Sequence, residues 1–313
     1  MLGKTAGGLF WMFRLLERSE NTARLIEAGF RIALTRPDGA DDEWASVLQT
    51  AAAATAFYER HEQLEAGKVI DFLLREPSNP SSVMSCIAGA RQNARLVRTA
   101  LTREVWEAVN DSYMSLRDAL ARPVADRNLP EVLGLIRQNS ALVRGALHGT
   151  MLRNDVFDFA RIGTFLERAD NTARILDVKY YVLLPSVNQI GSSLDNVQWE
   201  TILRSVAGQR SYAWLNQGKA NPKGIADFLI LDGRMPRSLK FSVAKMVTNL
   251  KYLEIEYGDR HPSQGMAEAL DDNLQRITID QVFEEGLHEF ITDFLKDLAG
   301  LGLQIETDYR FLG

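Results

Sequence analysis

The nonapeptide LERSENTAR at residues 16–24 returns as LERADNTAR at residues 166–174. Two further segments recur in the same order. WASVLQ from Trp44 matches WETILR from Trp199, and DFLLREPSNPSSV from Asp71 matches DFLILDGRMPRSL from Asp227. The offset grows slowly, from 150 to 155 to 156 residues, as an internal duplication with small loop insertions would produce. The sequence therefore predicts two related halves, 1–152 and 153–313.

Within each half, the apolar residues follow the period of an α-helix. Leu9, Met12, Phe13 and Leu16 recur at i, i+3, i+4 and i+7, which predicts one buried helix face. The predicted helices span 8–34, 83–98, 102–120, 130–150 and 155–183, and another, which Asp41 or Asp42 can cap, runs through 47–60. A short helix ends at Leu74, and stops are predicted at 36–39 and Pro185. No stretch alternates convincingly between apolar and polar residues. We expect an all-α fold, with two helical-bundle halves packed as one compact unit.

Composition narrows the class of protein. The net charge of −5 and the pI of about 5.6 argue against a general nucleic-acid binder, which usually carries a basic excess. No apolar run approaches the ~20 residues of a membrane-spanning helix. The single cysteine, Cys86, allows no internal disulfide and fits a reducing compartment. We expect a soluble, cytoplasmic protein that binds neither nucleic acid nor membrane.

Each copy of the nonapeptide brings four polar residues to one side of its helix. Glu20 and Arg24 are i, i+4 partners, and Glu20 falls within the buried stripe. Arg18 and Arg168 point to the other side of their helices, which a second helix could also cover. The first cluster is Glu17, Glu20, Asn21 and Arg24, and the second cluster is Glu167, Asp170, Asn171 and Arg174.

Two interpretations of these clusters stay open. Glu–Arg pairs at the edge of a core can be structural ion pairs that fix the register of packed helices. On a purely solvated face, the residues of duplicated copies would diverge freely by substitution. These polar positions match instead, and this favours a ligand-binding or catalytic site. Carboxylates, guanidiniums and amides together would suit an amino-acid-like or peptide ligand.

A basic stripe lies on another predicted helix. Arg91, Arg95 and Arg98 in ARQNARLVR are spaced i, i+4, i+7, so they share one face. The stripe is either a solvated or carboxylate-paired face, or a clamp for a carboxylate or phosphate, for which the planar guanidinium is suited.

Other candidate sites are weak. Glu285 and His288 form one E-x-x-H, whereas a di-iron bundle needs two such motifs and two further carboxylates. Cys86 lies in an apolar helical context typical of a core thiol. No complete phosphate-binding loop is present. We therefore expect no metal and no cofactor, and no complete catalytic motif is evident.

Several long segments together resemble the bacterial alpha-E family. They are FWMFRLLERSENTARLIEAGFR, ARQNARLVRTALTREVWEAVN, FLERADNTARILDVKYYVL and DFLILDGRMPRSLKFSV. That family is all-helical and is named for its helices and a recurring Glu-Arg motif. The resemblance implies motif positions at Glu17, Arg18, Asn21, Arg24, Arg91, Asn93, Arg95, Trp106, Glu107, Asn110, Glu167, Arg168, Asn171 and Arg174. Gln92 departs from the pattern, because many relatives carry Glu there.

The resemblance also implies a functional setting. Genes of the family typically lie beside circularly permuted ATP-grasp-type proteins and transglutaminase-like peptidases. We expect a non-catalytic binding or accessory component of a system that forms or processes peptide or amide bonds, with these two proteins as partners. Arg91 and Arg95 would add positive charge at the rim of the site.

Two alternatives remain open. The first is an enzyme acting on a peptide or amino-acid-like substrate, with Glu17 or Glu167 as general base. An adjacent arginine keeps a glutamate ionised, however, and so favours a binding or structural role for the glutamate over a role as a general base. The second alternative is a pure helical scaffold. The sequence leaves the ligand and any homo-oligomer undetermined.

Overall fold

The computed structural model describes residues 1–35, 40–182, 193–216 and 221–311. Within these ranges the chain forms fifteen α-helices and no β-strand, which confirms the all-α prediction. None of these helices combines the length and apolar character that a membrane span requires. The helices are α1 (Gly3–Thr35), α2 (Ala40–Thr50), α3 (Ala54–Tyr58), α4 (Ala66–Leu74), α5 (Val83–Leu96), α6 (Arg103–Ala119), α7 (Leu129–Thr150), α8 (Asp155–Val182), α9 (Ser193–Ser205), α10 (Gln209–Leu215), α11 (Pro222–Ile230), α12 (Leu239–Tyr257), α13 (Pro262–Arg276), α14 (Ile279–Glu285) and α15 (Leu287–Asp308).

The two longest helices, α1 and α8, lie side by side at the centre of the fold and run in the same direction. The amino group of Met1 lies 3.7 Å from a carboxylate oxygen of Asp155, so both helices start at the same end. Further along, a Cβ added to Gly163 would stand 2.2 Å from the carbonyl oxygen of Phe10. The absence of a side chain at Gly163 therefore allows the two backbones to approach closely.

Helix α1 is buried on more than the one face that carries its apolar stripe. The predicted stripe is buried, but Phe10 and Leu25, which lie off that stripe, are also buried. The reason is that α5, α7 and α8 all pack against α1. The helix starts five residues before the predicted Gly8. The predicted stops at residues 36–39 and at Pro185, and the predicted end of α8 at Leu183, lie outside the described residues.

Several helix starts carry residues that suit the free amides of a first turn. Ser82 precedes α5, and its hydroxyl accepts a hydrogen bond from the backbone of Ser85, which satisfies one of the free amides of the first turn. Thr102 does the same for α6. Pro130 lies in the first turn of α7. No backbone hydrogen bond is lost there, because the N–H groups of a first turn have no acceptor within the helix. Helix α4 ends at Leu74 as predicted.

The single helix predicted over 47–60 is wrong. Helix α2 ends at Thr50, and Ala52 adopts a left-handed conformation with φ of 52°. The amide of Ala53 then bonds the carbonyl of Leu48 at 2.9 Å, and that of Ala52 bonds the carbonyl of Gln49. This is a Schellman ending. Alanine rather than glycine occupies the left-handed position, so the sequence carries no clear stop signal there.

Candidate binding site

The repeated nonapeptides meet at the interface between α1 and α8, where their charged residues pair reciprocally. Arg18 on α1 donates to both carboxylate oxygens of Glu167 on α8, at 2.5 and 2.9 Å. Arg168 on α8 donates to both oxygens of Glu17 on α1, each at 2.9 Å. The two glutamates are only 2% and 4% exposed. Each copy therefore neutralises the buried acid of the other through a bidentate guanidinium pair.

The first cluster is completed by two arginines from elsewhere in the fold. Glu20 pairs with Arg24 on its own helix at 2.7 Å, as the i, i+4 spacing predicts. It also accepts hydrogen bonds from Arg144 on α7 and from Arg237, which immediately precedes the N-cap of α12. Three guanidiniums thus surround one fully buried carboxylate.

Arg237 connects three members of the first cluster. Its guanidinium donates to Asn21 Oδ1 at 2.9 Å and to Glu20 Oε1 at 2.9 Å, and it lies 3.0 Å from Glu17 Oε1. Burial lowers the pKa of Arg237 to about 10, because Glu17 only partly offsets the loss of hydration. The side chain remains positively charged at neutral pH, and only 7% of the residue is exposed.

The buried glutamates remain ionised. Burial alone would raise the pKa of Glu17, but Arg168 and Arg237 outweigh it and hold that pKa well below its usual range. The pKa of Glu167 is lowered in the same way, against burial, by Arg18 and Arg14. A general base at neutral pH needs a pKa shifted towards 7. These carboxylates are therefore suited to holding cations and not to accepting protons.

The second cluster borders a cavity. Asp170 pairs with Arg174 at 2.7 Å, and both side chains are partly exposed. The cavity has a volume of about 510 Å³. It is lined by the whole second cluster, by Arg14, Arg18 and Asn21 of α1, and by Ser81.

Asn21, which also lines this cavity, has an unused donor. It is 3% exposed, and its Oδ1 accepts from Arg237. Among the described residues, no hydrogen-bond acceptor is available for its Nδ2. An amide donor left unpaired away from water costs about 1–3 kcal/mol.

The middle basic motif is engaged elsewhere. Arg91 donates to Asn110 Oδ1 at 2.9 Å and lies over the ring of Tyr113, with both partners on α6. Asn93 donates back to its own helix, and Arg95 is exposed. None of these three described residues lines the cavity. Their contribution to a site stays a prediction.

The E-x-x-H motif is divided between two helices. Glu285 is the last residue of α14, Gly286 has φ of 105°, and His288 belongs to α15. The imidazole Nδ1 of His288 lies 2.5 Å from a carboxylate oxygen of Asp177. The pair does not share one helix face, as an i, i+3 metal motif would. Cys86 is fully buried, as predicted.

Sequence reasoning missed four residues of this region: Arg14, Ser81, Arg144 and Arg237. Three of them reach the clusters from distant parts of the chain, beyond the reach of helical spacing. One signal was present, because the repeat comparison sets Arg237 against Ser81. A guanidinium in one copy and a hydroxymethyl group in the other indicate that the two clusters are not filled alike.

Two Glu-Arg dipeptides, Glu17-Arg18 and Glu167-Arg168, thus form the centre of the interface. A family model described as a predicted alpha-helical domain with a conserved ER motif, named Alpha-E, matches residues 1–310. The chain belongs to the Alpha-E family. The resemblance stated from the sequence is thereby confirmed over almost the whole chain.

Similar proteins extend the family without defining an activity. Uncharacterized proteins of Mycobacterium bovis and of two Mycobacterium tuberculosis strains are each 22% identical to this Alpha-E chain over 308 residues. The match covers 92% of this chain and 34% of each relative, so the chain spans about a third of the length of these relatives. No solved structure matches the chain.

Proposed function

We propose that this Alpha-E protein is a non-catalytic binding component whose ligand occupies the cavity beside the second cluster. The observation that carries the proposal is the cavity itself, which is lined by the charged side chains of the second cluster. A volume of about 510 Å³ lies within the range of small-molecule sites, which is roughly 300–1,000 Å³. The ligand class that fits is an amino acid or a short peptide.

The charges around the cavity support a ligand with groups of both signs. Arg174 is partly exposed and pairs only with Asp170 among the described residues, so it has donors left for a carboxylate. Asp170 has lone pairs left for an ammonium or guanidinium group. An amino acid or peptide presents both kinds of group.

The same proposal includes the origin of the site by tandem duplication, with halves 1–152 and 153–313. The left-handed Ala52 that ends α2 has a counterpart in Ala207 after α9, at the same offset as Trp44 and Trp199. The reciprocal pairs between α1 and α8 also support it, since related halves would exchange equivalent contacts across a pseudo-twofold axis.

The biological setting is proposed from the family resemblance. In it, the chain serves a cytoplasmic system that forms or processes peptide or amide bonds. An ATP-grasp-like protein would carry out the phosphoryl chemistry, and a transglutaminase-like peptidase would be a second partner. The lowered pKa values of the buried glutamates favour this binding role over an enzyme that uses them as bases.

Binding is tested directly by calorimetry with a panel of free amino acids and dipeptides. At least one member is expected to bind with one site per chain, and Arg174→Ala is expected to weaken it about tenfold or more, as loss of a charged hydrogen bond would. The matched control is Arg276→Ala, because Asp272 and Arg276 form the same i, i+4 pair on the surface. Equal effects of the two variants, or no binding by any panel member, would refute the proposal.

The proposed setting needs its own experiment. The tagged chain is incubated with a purified ATP-grasp-type protein, and ATP-dependent ligation is measured with and without the chain. Physical association together with a gain in ligation supports an accessory role. Unchanged ligation without association contradicts it.

A further inference from the structure

The fold already contains one bound guanidinium group, and it shows what the first cluster recognises. Arg237 reaches the first cluster from the turn before α12 and contacts Asn21, Glu20 and Glu17 within 3.0 Å. It contributes a cation from a distant segment much as a ligand would. The first cluster is therefore a guanidinium-binding site occupied by a residue of the chain itself.

The matching position in the other copy is Ser81. Each residue directly precedes a serine N-cap, Ser82 of α5 and Ser238 of α12. The hydroxymethyl group of Ser81 is far smaller than the side chain of Arg237, and Ser81 lines the cavity. The second cluster thus lacks the guanidinium that fills the first.

A second guanidinium is missing from the same place. Each of the six buried positions of α7, from Leu129 to Leu147, has a buried counterpart 158 residues later in α15. At this offset the counterpart of Arg144 is Gly302, which has no side chain and lines the cavity. The cavity therefore lies where both arginines would stand.

The vacant space leaves acceptors available. Asp170 is the counterpart of Glu20, which accepts from Arg24, Arg144 and Arg237. Among the described residues, Asp170 accepts from Arg174 alone. Asn171, the counterpart of the Asn21 that accepts from Arg237, also lines the cavity.

The charge of the second cluster permits one more cation. Among the described residues, four guanidiniums surround two carboxylates in the first cluster, those of Arg24, Arg144, Arg168 and Arg237. In the second cluster, Arg14, Arg18 and Arg174 surround Glu167 and Asp170. A further carboxyl, that of Glu306, lines the cavity. With a bound guanidinium, the net charge of the second cluster would therefore be no more positive than that of the first cluster.

We infer that the cavity binds a guanidinium-bearing ligand, an arginine-like amino acid or an arginine residue of a peptide. Its guanidinium group occupies the space that Arg237 and Arg144 fill in the first cluster, between Asp170 and Asn171. Its carboxylate or carbonyl oxygen accepts from the partly exposed guanidinium of Arg174, which also lines the cavity. This inference rests on the proposed binding function and names the ligand class.

Calorimetry with the full chain tests the inference. The probes are L-arginine, its neutral analogue L-citrulline, and the tripeptide Gly-Arg-Gly, which separates the free amino acid from a peptide source. L-Arginine or the tripeptide is expected to bind at one site per chain, and L-citrulline about tenfold or more weakly, because a charged hydrogen-bonding group is lost. Equal affinity for L-arginine and L-citrulline, or no binding of either arginine probe, overturns the inference.

Ser81→Arg is the decisive variant. It restores in the second cluster the side chain that occupies the first, and it is expected to abolish arginine binding while the protein stays folded. Ser78→Arg adds the same charge at an exposed position of the same turn and is expected to leave binding unchanged. Wild-type affinity in Ser81→Arg overturns the inference. If Ser81→Arg does not fold, Asp170→Asn replaces it and is expected to remove the preference for L-arginine over L-citrulline; a preserved preference overturns the inference.

The outcomes separate this inference from the proposed function. If uncharged or acidic amino acids bind in the cavity and L-arginine is not preferred, the binding function stands and the arginine inference is wrong. If no amino acid or peptide binds, both are wrong.

Discussion

Replacing Glu17 by Gln is expected to lower the free energy of unfolding by about 3–5 kcal/mol, the usual loss when one partner of a buried ion pair is removed. The carboxylate is 2% exposed. It accepts from Arg168 through both oxygens at 2.9 Å and lies 3.0 Å from Arg237. Glutamine keeps the shape but carries no charge, and its amide nitrogen would face guanidinium donors. The two arginines would then be buried without sufficient compensation.

The measurement is urea unfolding followed by circular dichroism at pH 7, supported by a fall in the thermal midpoint of about 5–8 °C. The control is Glu107→Gln, which makes the same chemical change in a surface pair with Arg103. In that pair the side chains of arginine and glutamate are 80% and 49% exposed. Glu107→Gln is expected to lower the free energy of unfolding by at most about 0.5 kcal/mol.

The effect of Glu17→Gln depends on pH in a defined direction. The folded-state pKa of Glu17 is lowered from the ordinary value of 4.5, because Arg168 and Arg237 outweigh burial. As the pH falls below about 4.5, the unfolded chain takes up this proton before the folded protein does, and the stability that Glu17 contributes is lost. The difference in free energy of unfolding between the wild type and Glu17→Gln should therefore become smaller in acid. Equal losses of stability in Glu17→Gln and Glu107→Gln at pH 7, or a stability difference between wild type and Glu17→Gln that stays constant in acid, would contradict this prediction.

Three further predictions concern other buried groups. Burial and the nearby Asp155 raise the pKa of Asp158 from 3.8 to about 7, so the folded protein holds this proton longer than the unfolded chain, and stability falls as the pH rises between these values. Asp158→Asn should therefore raise the urea midpoint more at pH 8 than at pH 5, and an equal change at both would contradict this. Gly163→Ala should cost about 1–3 kcal/mol in urea unfolding, since its Cβ would overlap the α1 backbone. Gly145→Ala, with open space around the new Cβ, should raise the free energy of unfolding by about 0.5–1 kcal/mol. A change in the same direction in both glycine variants would contradict this prediction. Burial raises the pKa of the Cys86 thiol to about 12, so a disulfide reagent should label it at least about 100-fold faster in denaturant than in buffer; rapid labelling of the native protein would show that the thiol is accessible.

Local sequence signals predicted the parts of the fold that depend on neighbouring residues. The starts of α5 and α6 are set locally, because the hydroxyls of Ser82 and Thr102 each accept from an amide three residues ahead. The pair of Glu20 and Arg24 follows from one helical turn. The break at Ala52 was missed, because alanine favours a helix and only the tertiary packing imposes its left-handed conformation.

The composition of the site depended on contacts that no local pattern contains. Arg18 was expected on the far side of its helix, under a second helix, but its partner could not be named in advance. That partner is Glu167, 149 residues away. Arg144 and Arg237 reach Glu20 across 124 and 217 residues. Such distances are bridged only by the assembled bundle, so the sequence indicated the clusters but not how each is filled.

The reciprocal ion pairs between α1 and α8 also affect how the protein folds while it is being synthesised. Glu17 leaves the ribosome 151 residues before Arg168, which corresponds to roughly 8–30 s at ordinary translation rates. During that interval the nascent α1 carries a carboxylate that must stay hydrated, and its final burial has to wait. Each newly made chain therefore passes through a stage in which α1 is complete but Glu17 still lacks the arginine that pairs with it in the folded protein.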